Sequence, residues 1–256
     1  MGLFDKKYCD VCGEKIGLLG NRKLEDGNLC KDCARKLSPW FSERRNSSVN
    51  EIKRQLEYRE ENRGRVEAFH ITRTLGSGTK LLLDEDAGLF MVTSAKNIAE
   101  ANPDVLALSD VTGCTLDVEE SSKELLHEDK DGNEVSYNPP RYEYSYDFYI
   151  IVNVNNPYFN EMRFRINPSS VEISPLPSIR PGVTLRFNPE TNAEYKKYKQ
   201  LGEEIRQILV KVRDDAREKI EQAAAPKTAV SCPYCGATTT PDASGCCEYC
   251  GGALMG

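Results

Sequence analysis

The stretch Cys9-Asp-Val-Cys12-Gly13, followed by Cys30-Lys-Asp-Cys33, decides how the N-terminal part of this chain folds. A Cys-x2-Cys pair lets two thiolates converge on one ion, and Gly13 relieves the tight turn after the first pair. Seventeen residues separate the two pairs, which is a spacing typical of four-cysteine zinc sites. The sequence therefore predicts that Cys9, Cys12, Cys30 and Cys33 bind one structural zinc ion.

The residues around these pairs predict the shape of the site. Residues 24–29 have the composition of a hairpin turn, and residues 34–37 are expected to form a short helix that stops before Pro39. A knuckle, a hairpin and ligands at a helix start follow a treble-clef-like order, so residues 1–40 are expected to be a zinc finger of that kind.

A second cysteine set lies near the other end, in Cys232-Pro-Tyr-Cys235-Gly and Cys247-Glu-Tyr-Cys250-Gly. The two halves are near-copies, and paired knuckles of this kind resemble the bacterial zinc ribbon. Cys246 is surplus and is an alternative ligand to Cys247, but only Cys247 has the Cys-x2-Cys-Gly spacing. Neither set includes a histidine, so both zinc ions are expected to be structural and residues 232–256 to form a ribbon.

The distribution of cysteine indicates the compartment. Ten cysteines are present, and nine lie in the two terminal segments, which is not the pattern of a disulfide framework. The first residues have no apolar core of a signal peptide, and the longest apolar run, 148–152, is far short of the ~20 residues of a spanning helix. A cytoplasmic protein without integral membrane association is expected. Cys114 is expected to be a buried small residue.

Residues 41–69 are predicted to form a connecting helix. Ser48 and Glu51 form a capping box, and an apolar stripe follows at helical spacing. Arg59 and Arg63 interrupt the stripe, and the remainder is densely charged. A solvated helix with one stripe on the protein body is the favoured interpretation, with a coiled-coil partner helix as the alternative.

Residues 70–224 are predicted to be a β-rich domain with a C-terminal helix. The pattern changes to period two, and antiparallel strands are expected at 79–83, 89–92, 142–155, 162–166, 171–173 and 183–187, with one or two more within 105–118. Asn188 and Pro189 can then start a long amphipathic helix that runs to about residue 223. A barrel or sandwich closed by one helix resembles the pleckstrin-homology-like architecture. Residues 225–231 are expected to be a linker.

The full order resembles a group of uncharacterised bacterial proteins that begin with a small CxxCG…CxxC zinc domain of unknown function. The residues that carry the resemblance are Cys9, Cys12, Gly13, Gly27, Cys30 and Cys33, then Ile52-Lys53 and Phe69 through Leu83-Asp84-Glu85. The resemblance implies a bacterial cytosolic protein and brings no established activity. Together with the zinc sites and the strand and helix patterns, it predicts an α+β multidomain protein.

Charge limits the classes of partner. The net charge is −6, and residues 70–187 alone carry −8, with the acidic segment 119–134 expected to be a disordered, solvated loop. Anionic lipid or nucleic acid would be repelled there, so protein binding is the favoured interpretation. The runner-up is a nucleic-acid-associated regulator that uses the N-terminal finger, whose segment 1–40 carries +2, and a membrane-surface adaptor is a third hypothesis.

The sequence does not favour an enzyme. The loop 76–80 lacks the spacing of a phosphate-binding P-loop and is expected to be a turn. His70 and His127 are not near a recognisable nucleophile motif. The combined prediction is a non-catalytic adaptor or scaffold with two structural zinc ions and a protein partner.

Overall fold

A computed structural model describes residues 6–174, 188–224, 229–242 and 245–254, with side chains described up to residue 218 in the C-terminal helix. The chain divides into two compact units, Met1–Asp214 and Asp215–Gly256. Helices and antiparallel strands are both present in the first unit, so the fold class is mixed α+β. No helix in the described ranges has the length and apolar character needed to cross a lipid bilayer.

The N-terminal segment consists of two small hairpins and a helix. Strand β1 (Lys7–Tyr8) pairs with β2 (Lys15–Ile16), and β3 (Arg22–Lys23) pairs with β4 (Asn28–Leu29). Helix α1 (Lys31–Lys36) follows directly. The predicted hairpin and short helix are confirmed, although the helix begins before residue 34.

A glycine lets this segment pack against the next helix. A Cβ atom on Gly27 would lie 2.5 Å from Cγ2 of Val49 and 2.8 Å from a carboxylate oxygen of Asp10. Only a residue without a side chain fits there. The buried residues that form the core of the finger are Cys9, Ile16, Leu24, Leu29, Cys30, Cys33, Leu37 and Ile52.

Helix α2 (Val49–Ala68) supplies Ile52 to that core. The predicted capping box is confirmed, because the Ser48 hydroxyl accepts from the Glu51 backbone N–H and the Glu51 carboxylate accepts from the Ser48 N–H. The buried face of the helix comprises Ile52, Gln55, Arg59, Asn62 and Val66.

Arg59, which interrupts the apolar stripe, is nevertheless buried on the packing face of α2. Its guanidinium is buried and donates to a carboxylate oxygen of Asp104 at 2.8 Å and to the backbone carbonyl of Asn102. Its Nε donates to the Lys36 carbonyl at 3.3 Å, and the Ser38 hydroxyl donates to the other Asp104 oxygen at 2.8 Å. Burial of Arg59 is tolerated because each of its three guanidinium nitrogens donates to an acceptor and its charge is paired with Asp104.

Two asparagines extend this polar network. Asn62 donates to the Asn102 side chain at 2.8 Å and to the Pro103 carbonyl at 2.7 Å, and it accepts from the Val105 N–H at 2.9 Å. Asn102 donates back to the Arg59 carbonyl at 2.7 Å. The network therefore joins the end of α1, one face of α2 and the segment around residues 102–105.

The first sheet has four antiparallel strands in the order β5-β6-β7-β8. They are β5 (Arg73–Leu75), β6 (Lys80–Asp84), β7 (Leu89–Thr93) and β8 (Leu106–Ala107), with the short helix α3 (Ile98–Ala101) before β8. The predicted hairpin at 79–92 is confirmed, and residues 76–79 form the turn between β5 and β6.

The second sheet is built around one long strand. Strand β10 (Glu134–Val154) pairs with β9 (Val111–Glu128) along one edge, and with β11 (Glu161–Arg165) and β12 (Val171–Ile173) along the other. The predicted edge strand at 171–173 is confirmed. Within the described residues, strands β5 to β12 form two open four-stranded sheets and no closed barrel. The strand predicted at 183–187 lies outside the described residues.

The expectation of a disordered acidic loop at 119–134 was wrong. Most of that segment belongs to β9 and to the start of β10, which continue as a two-stranded ribbon beyond the other strands. Charged side chains are tolerated because such a ribbon has solvent on both faces, while the backbone hydrogen bonds are satisfied between its strands. Tyr137 lies in the ribbon, stacked on His127 at 4.5 Å and covered by the Arg141 guanidinium at 4.1 Å.

The last helix of the chain in the described ranges is α4 (Ala193–Ala224), most of which belongs to the first unit. The start of the helix differs from the prediction, since Asn188 caps a separate 3-10 turn, Pro189–Thr191. The side chain of Asn192 accepts from the N–H groups of Glu194 and Tyr195 and is the cap of α4 itself. Asparagine is favoured at this position because its side-chain oxygen satisfies free helix N–H groups.

Helix α4 packs on the second sheet through aromatic rings and one glycine. The Tyr195 ring meets Phe148 of β10 edge-on at 5.1 Å, and Tyr198 lies 5.9 Å from the same ring. A Cβ atom on Gly202 would lie 2.5 Å from a methyl group of Leu116 in β9. Helix and sheet are therefore in direct backbone-to-side-chain contact at this point.

Candidate metal centres

The N-terminal segment brings four thiols together. The sulfur atoms of Cys9, Cys12, Cys30 and Cys33 all lie within 4.8 Å of one another. The first two cysteines lie on the turn between β1 and β2, and the other two at the start of α1. Three of the four are buried, and Cys12 is exposed.

Backbone geometry aims the thiols of the first pair inward. The Gly13 N–H donates to the Cys9 carbonyl at 2.8 Å, and Gly13 has a φ of 76°. This is the left-handed region, where glycine is favoured because it has no Cβ. The second pair uses a helix start instead, with Cys30 as the N-cap whose sulfur accepts from the Cys33 N–H at 3.3 Å.

The thiols of the first group differ in pKa. Burial raises the pKa of Cys9, but hydrogen bonds from the backbone of Cys12, Cys30 and Val11 outweigh it and bring the pKa to about 7. Burial raises the pKa of the Cys33 thiol strongly, and the neighbouring thiols add to the rise. Four thiolates at this distance repel one another, so a bound cation is needed to ionise them all.

The C-terminal unit contains a second group of the same kind. The sulfur atoms of Cys232, Cys235, Cys247 and Cys250 lie within 4.8 Å of one another. The strands of this unit are β13 (Val230–Ser231) and β14 (Thr238–Thr239), which form a hairpin around the first knuckle. As at Gly13, the glycine after each pair donates to the carbonyl of the first cysteine, at 2.9 Å and 2.7 Å.

The separations between sulfur atoms fit a tetrahedral metal ion. A Zn–S bond of about 2.3 Å implies sulfur atoms about 3.8 Å apart around a tetrahedron. The Cys12 and Cys30 sulfurs are 3.7 Å apart, the Cys232 and Cys250 sulfurs 3.5 Å, and the Cys235 and Cys247 sulfurs 3.7 Å. Each group could hold one metal ion, and the donor set is consistent with zinc.

Residues 7–55 match a family model described as "Domain of unknown function (DUF4428)". The match starts in β1 and ends in the second turn of α2, so it includes the whole first cysteine group. This agrees with an N-terminal zinc domain. No curated protein and no solved structure gives a significant match to the chain.

Two cysteines lie outside both groups. Cys246 forms a β-bridge with Ala253, and its backbone N–H donates to the Asp242 carboxylate at 2.9 Å. Cys114 lies on β9 opposite Val152, and burial raises the pKa of its thiol to about 11. The sequence left Cys246 open as an alternative ligand, and the structure brings together the sulfur atoms of Cys247 and its three partners.

The polar network that joins the segment matching DUF4428 to residues 102–105 was not predicted from the sequence. Gln55, Arg59 and Asn62 are buried on the same face of α2 as Ile52 and Val66. The signal was available, because positions 52, 55, 59, 62 and 66 follow one another at helical spacing. Burial raises the pKa of Asp104, and Arg59 and Ser38 only partly oppose the rise.

Proposed function

We propose that this chain is a non-catalytic adaptor of the bacterial cytosol that binds protein partners and that holds one structural zinc ion in each cysteine group. The observation that supports the proposal is that each cysteine group contains enough ligands to fill all four positions around a tetrahedral metal ion. Each group supplies four sulfur ligands, and a four-coordinate zinc ion then has no position left for a substrate or an activated water.

The order of strands, turns and helices supports a treble-clef-like finger at the N-terminal group and a zinc ribbon at the C-terminal group. A knuckle, a hairpin and a helix that carries the second pair favour a treble-clef-like finger, and two glycine-ended knuckles favour a zinc ribbon. The pleckstrin-homology-like architecture stays a prediction. A helix does pack on the second sheet, as that architecture requires, through Tyr195, Tyr198 and Gly202.

A cleft in the first unit supports the choice of a protein partner. It has a volume of about 680 Å³, and its walls include Pro39, Trp40, Pro157 and Tyr158. Glu43, Glu161 and Arg163 line it as well. Tryptophan, tyrosine and arginine are the residue types enriched in interface hot spots, and Trp40, Tyr158 and Arg163 supply all three here.

The zinc proposal is tested by metal analysis of the purified full chain by mass spectrometry. Two zinc ions per chain are expected, without the visible absorption that iron–thiolate sites show. A value well below two, or stoichiometric iron, would contradict the two-zinc proposal.

The adaptor proposal is tested by cross-linking the full chain to proteins of the native host. The matched variants are Trp40→Ala in the cleft and Tyr142→Ala, an exposed tyrosine of the β9–β10 ribbon. The adaptor proposal expects a partner that is lost with Trp40→Ala and retained with Tyr142→Ala. Salt-sensitive retention on DNA or RNA, with no protein cross-link, would instead favour a nucleic-acid-associated regulator that uses the N-terminal finger.

A further inference from the structure

A turn of the N-terminal finger exposes two adjacent leucines. The Gly20 N–H donates to the Gly17 carbonyl at 3.0 Å, which closes a β-turn with Leu18 and Leu19 at its two central positions. Their exposed fractions are 90% and 88%, the highest of the large hydrophobic residues in the described ranges. Polar residues and glycine are favoured at the central positions of turns. Neither that preference nor packing in the core of the finger accounts for two exposed leucines there.

The turn is held in place by its neighbours. An Nη1 atom of Arg22 donates to the Leu19 carbonyl at 3.3 Å. The Asn21 side chain donates to the Asn28 side chain at 2.8 Å, which fastens the turn to β4. The leucines are therefore presented on a fixed backbone.

Cations flank the two leucines on both sides. Residues 15–24 contain Lys15, Arg22 and Lys23 and no acidic residue, in a chain whose net charge is −6. None of the ion pairs found in the described part of the chain involves these three residues. Strand β1 places the exposed Tyr8 opposite Lys15 and Lys7 opposite Ile16.

We propose that the Gly17–Gly20 turn docks on an anionic lipid surface, with Leu18 and Leu19 entering the headgroup region and the flanking cations facing lipid phosphates. Aliphatic side chains between cations, next to a tyrosine, match the requirements of an interfacial anchor. A nucleic acid would call for stacking residues at the most exposed positions, whereas those positions hold two leucines and the single tyrosine nearby, Tyr8, is less exposed than either.

The expected affinity is low. Two leucines provide less apolar area than a single acyl chain, which gives association constants on the order of 10⁴ M⁻¹. Three or four cations add attraction that salt screens. Docking by this turn alone is therefore reversible, and it is independent of the protein-binding proposal.

The test is co-sedimentation of the zinc-loaded full chain with phosphatidylcholine vesicles that contain or lack phosphatidylserine. Binding is expected only with phosphatidylserine, and it should weaken as salt increases. The double variant Leu18→Ser/Leu19→Ser should reduce the partition coefficient by about tenfold or more, because the insertion of both side chains is lost. The matched control is Leu126→Ser, an exposed leucine in the acidic ribbon, which should bind as the unmodified chain does.

The design separates docking from unfolding and from other partners. Zinc content and circular dichroism of both variants should equal those of the unmodified chain. No binding to phosphatidylserine vesicles at low salt would overturn the proposal, as would equal binding by the Leu18/Leu19 variant. Loss of a protein cross-link in that variant, without any vesicle binding, would assign the turn to a protein partner and also overturn it.

Discussion

The two cysteine groups have the same ligand chemistry but very different surroundings. Around the first, three of the four cysteines belong to a core of eight buried residues that includes Ile52 of helix α2. In the second, only Cys232, Thr239 and Cys247 are buried among residues described between 229 and 254, and Tyr234 and Tyr249 are exposed. A metal ion held by the first group would therefore add to an existing apolar core, whereas an ion held by the second would stand in place of one.

The largest effect is expected from removing one ligand of each group. Cys247→Ser should lower the zinc content from two to one and leave the amides of the ribbon unprotected from hydrogen exchange. Zinc supplies about 10–16 kcal/mol of apparent binding free energy to small zinc domains, and here little else holds the fold. Cys33→Ser should also lose one zinc ion but keep protection in α2, because apolar and polar contacts remain.

The measurements are metal content and hydrogen exchange by mass spectrometry, with Cys114→Ser as a control that keeps both zinc ions. If Cys247→Ser leaves the ribbon amides protected, the fold of the ribbon does not depend on the metal ion, in spite of its few buried residues. If Cys33→Ser abolishes protection throughout α2, the contrast between the two groups fails.

The next largest effect should come from the polar network that supports the first group. Asp104→Ala leaves the Arg59 guanidinium buried without its carboxylate, which typically lowers the free energy of unfolding by about 3–5 kcal/mol. Urea unfolding followed by the fluorescence of Trp40, the single tryptophan, measures this change. The control is Glu60→Ala, which removes an exposed ion pair with Arg63 on the same helix and should change the free energy by about 0–1 kcal/mol. If the two variants lower the free energy of unfolding equally, the buried polar network does not contribute more to stability than an exposed ion pair.

A smaller effect of opposite sign is expected at Gln55. Its side chain is fully buried, and within the described residues neither of its amide atoms has a hydrogen-bond partner. Gln55→Leu should therefore raise the free energy of unfolding by about 1–3 kcal/mol, since the desolvation penalty of the amide is removed. Gln207→Leu, at an exposed position of α4, is the matched control and should be nearly neutral. Destabilisation by Gln55→Leu would indicate that the amide has a partner such as a buried water.

The smallest effect is expected from Cys246→Ser. The sulfur atom of Cys246 does not belong to the second group, whereas its backbone is fixed by a bridge to Ala253 and a bond to Asp242. The variant should keep two zinc ions and the hydrogen exchange of the unmodified ribbon. A loss of one zinc ion would make Cys246 a ligand in place of Cys247.

The sequence predicted the features that depend on residues close together in the chain. The cysteine pairs, the turn at Gly13 and the capping box of Ser48 and Glu51 each follow from a spacing of a few residues. The pairing of Arg59 with Asp104 could not be predicted, because it joins positions 45 residues apart and depends on how α2 meets the first sheet.

The acidic segment is structured in spite of its charge. Residues 119–134 were expected to stay solvated without structure, but strand pairing does not require apolar side chains on both faces of a ribbon. The start of α4 was misplaced for a simpler reason. Asn188 and Asn192 are both suitable caps, and only the structure shows that a 3-10 turn separates them.

The contact between Ser38 and Asp104 has a consequence for the order of assembly during synthesis. The first four thiols lie within 25 residues of chain, so the entropy of closing that loop is small and the group can gather as soon as this segment has left the ribosome. The hydrogen bond from Ser38 spans 66 residues and must wait until residue 104 has emerged. We therefore expect metal loading to come first, and the attachment of the finger to the rest of its unit to be a later, separate event.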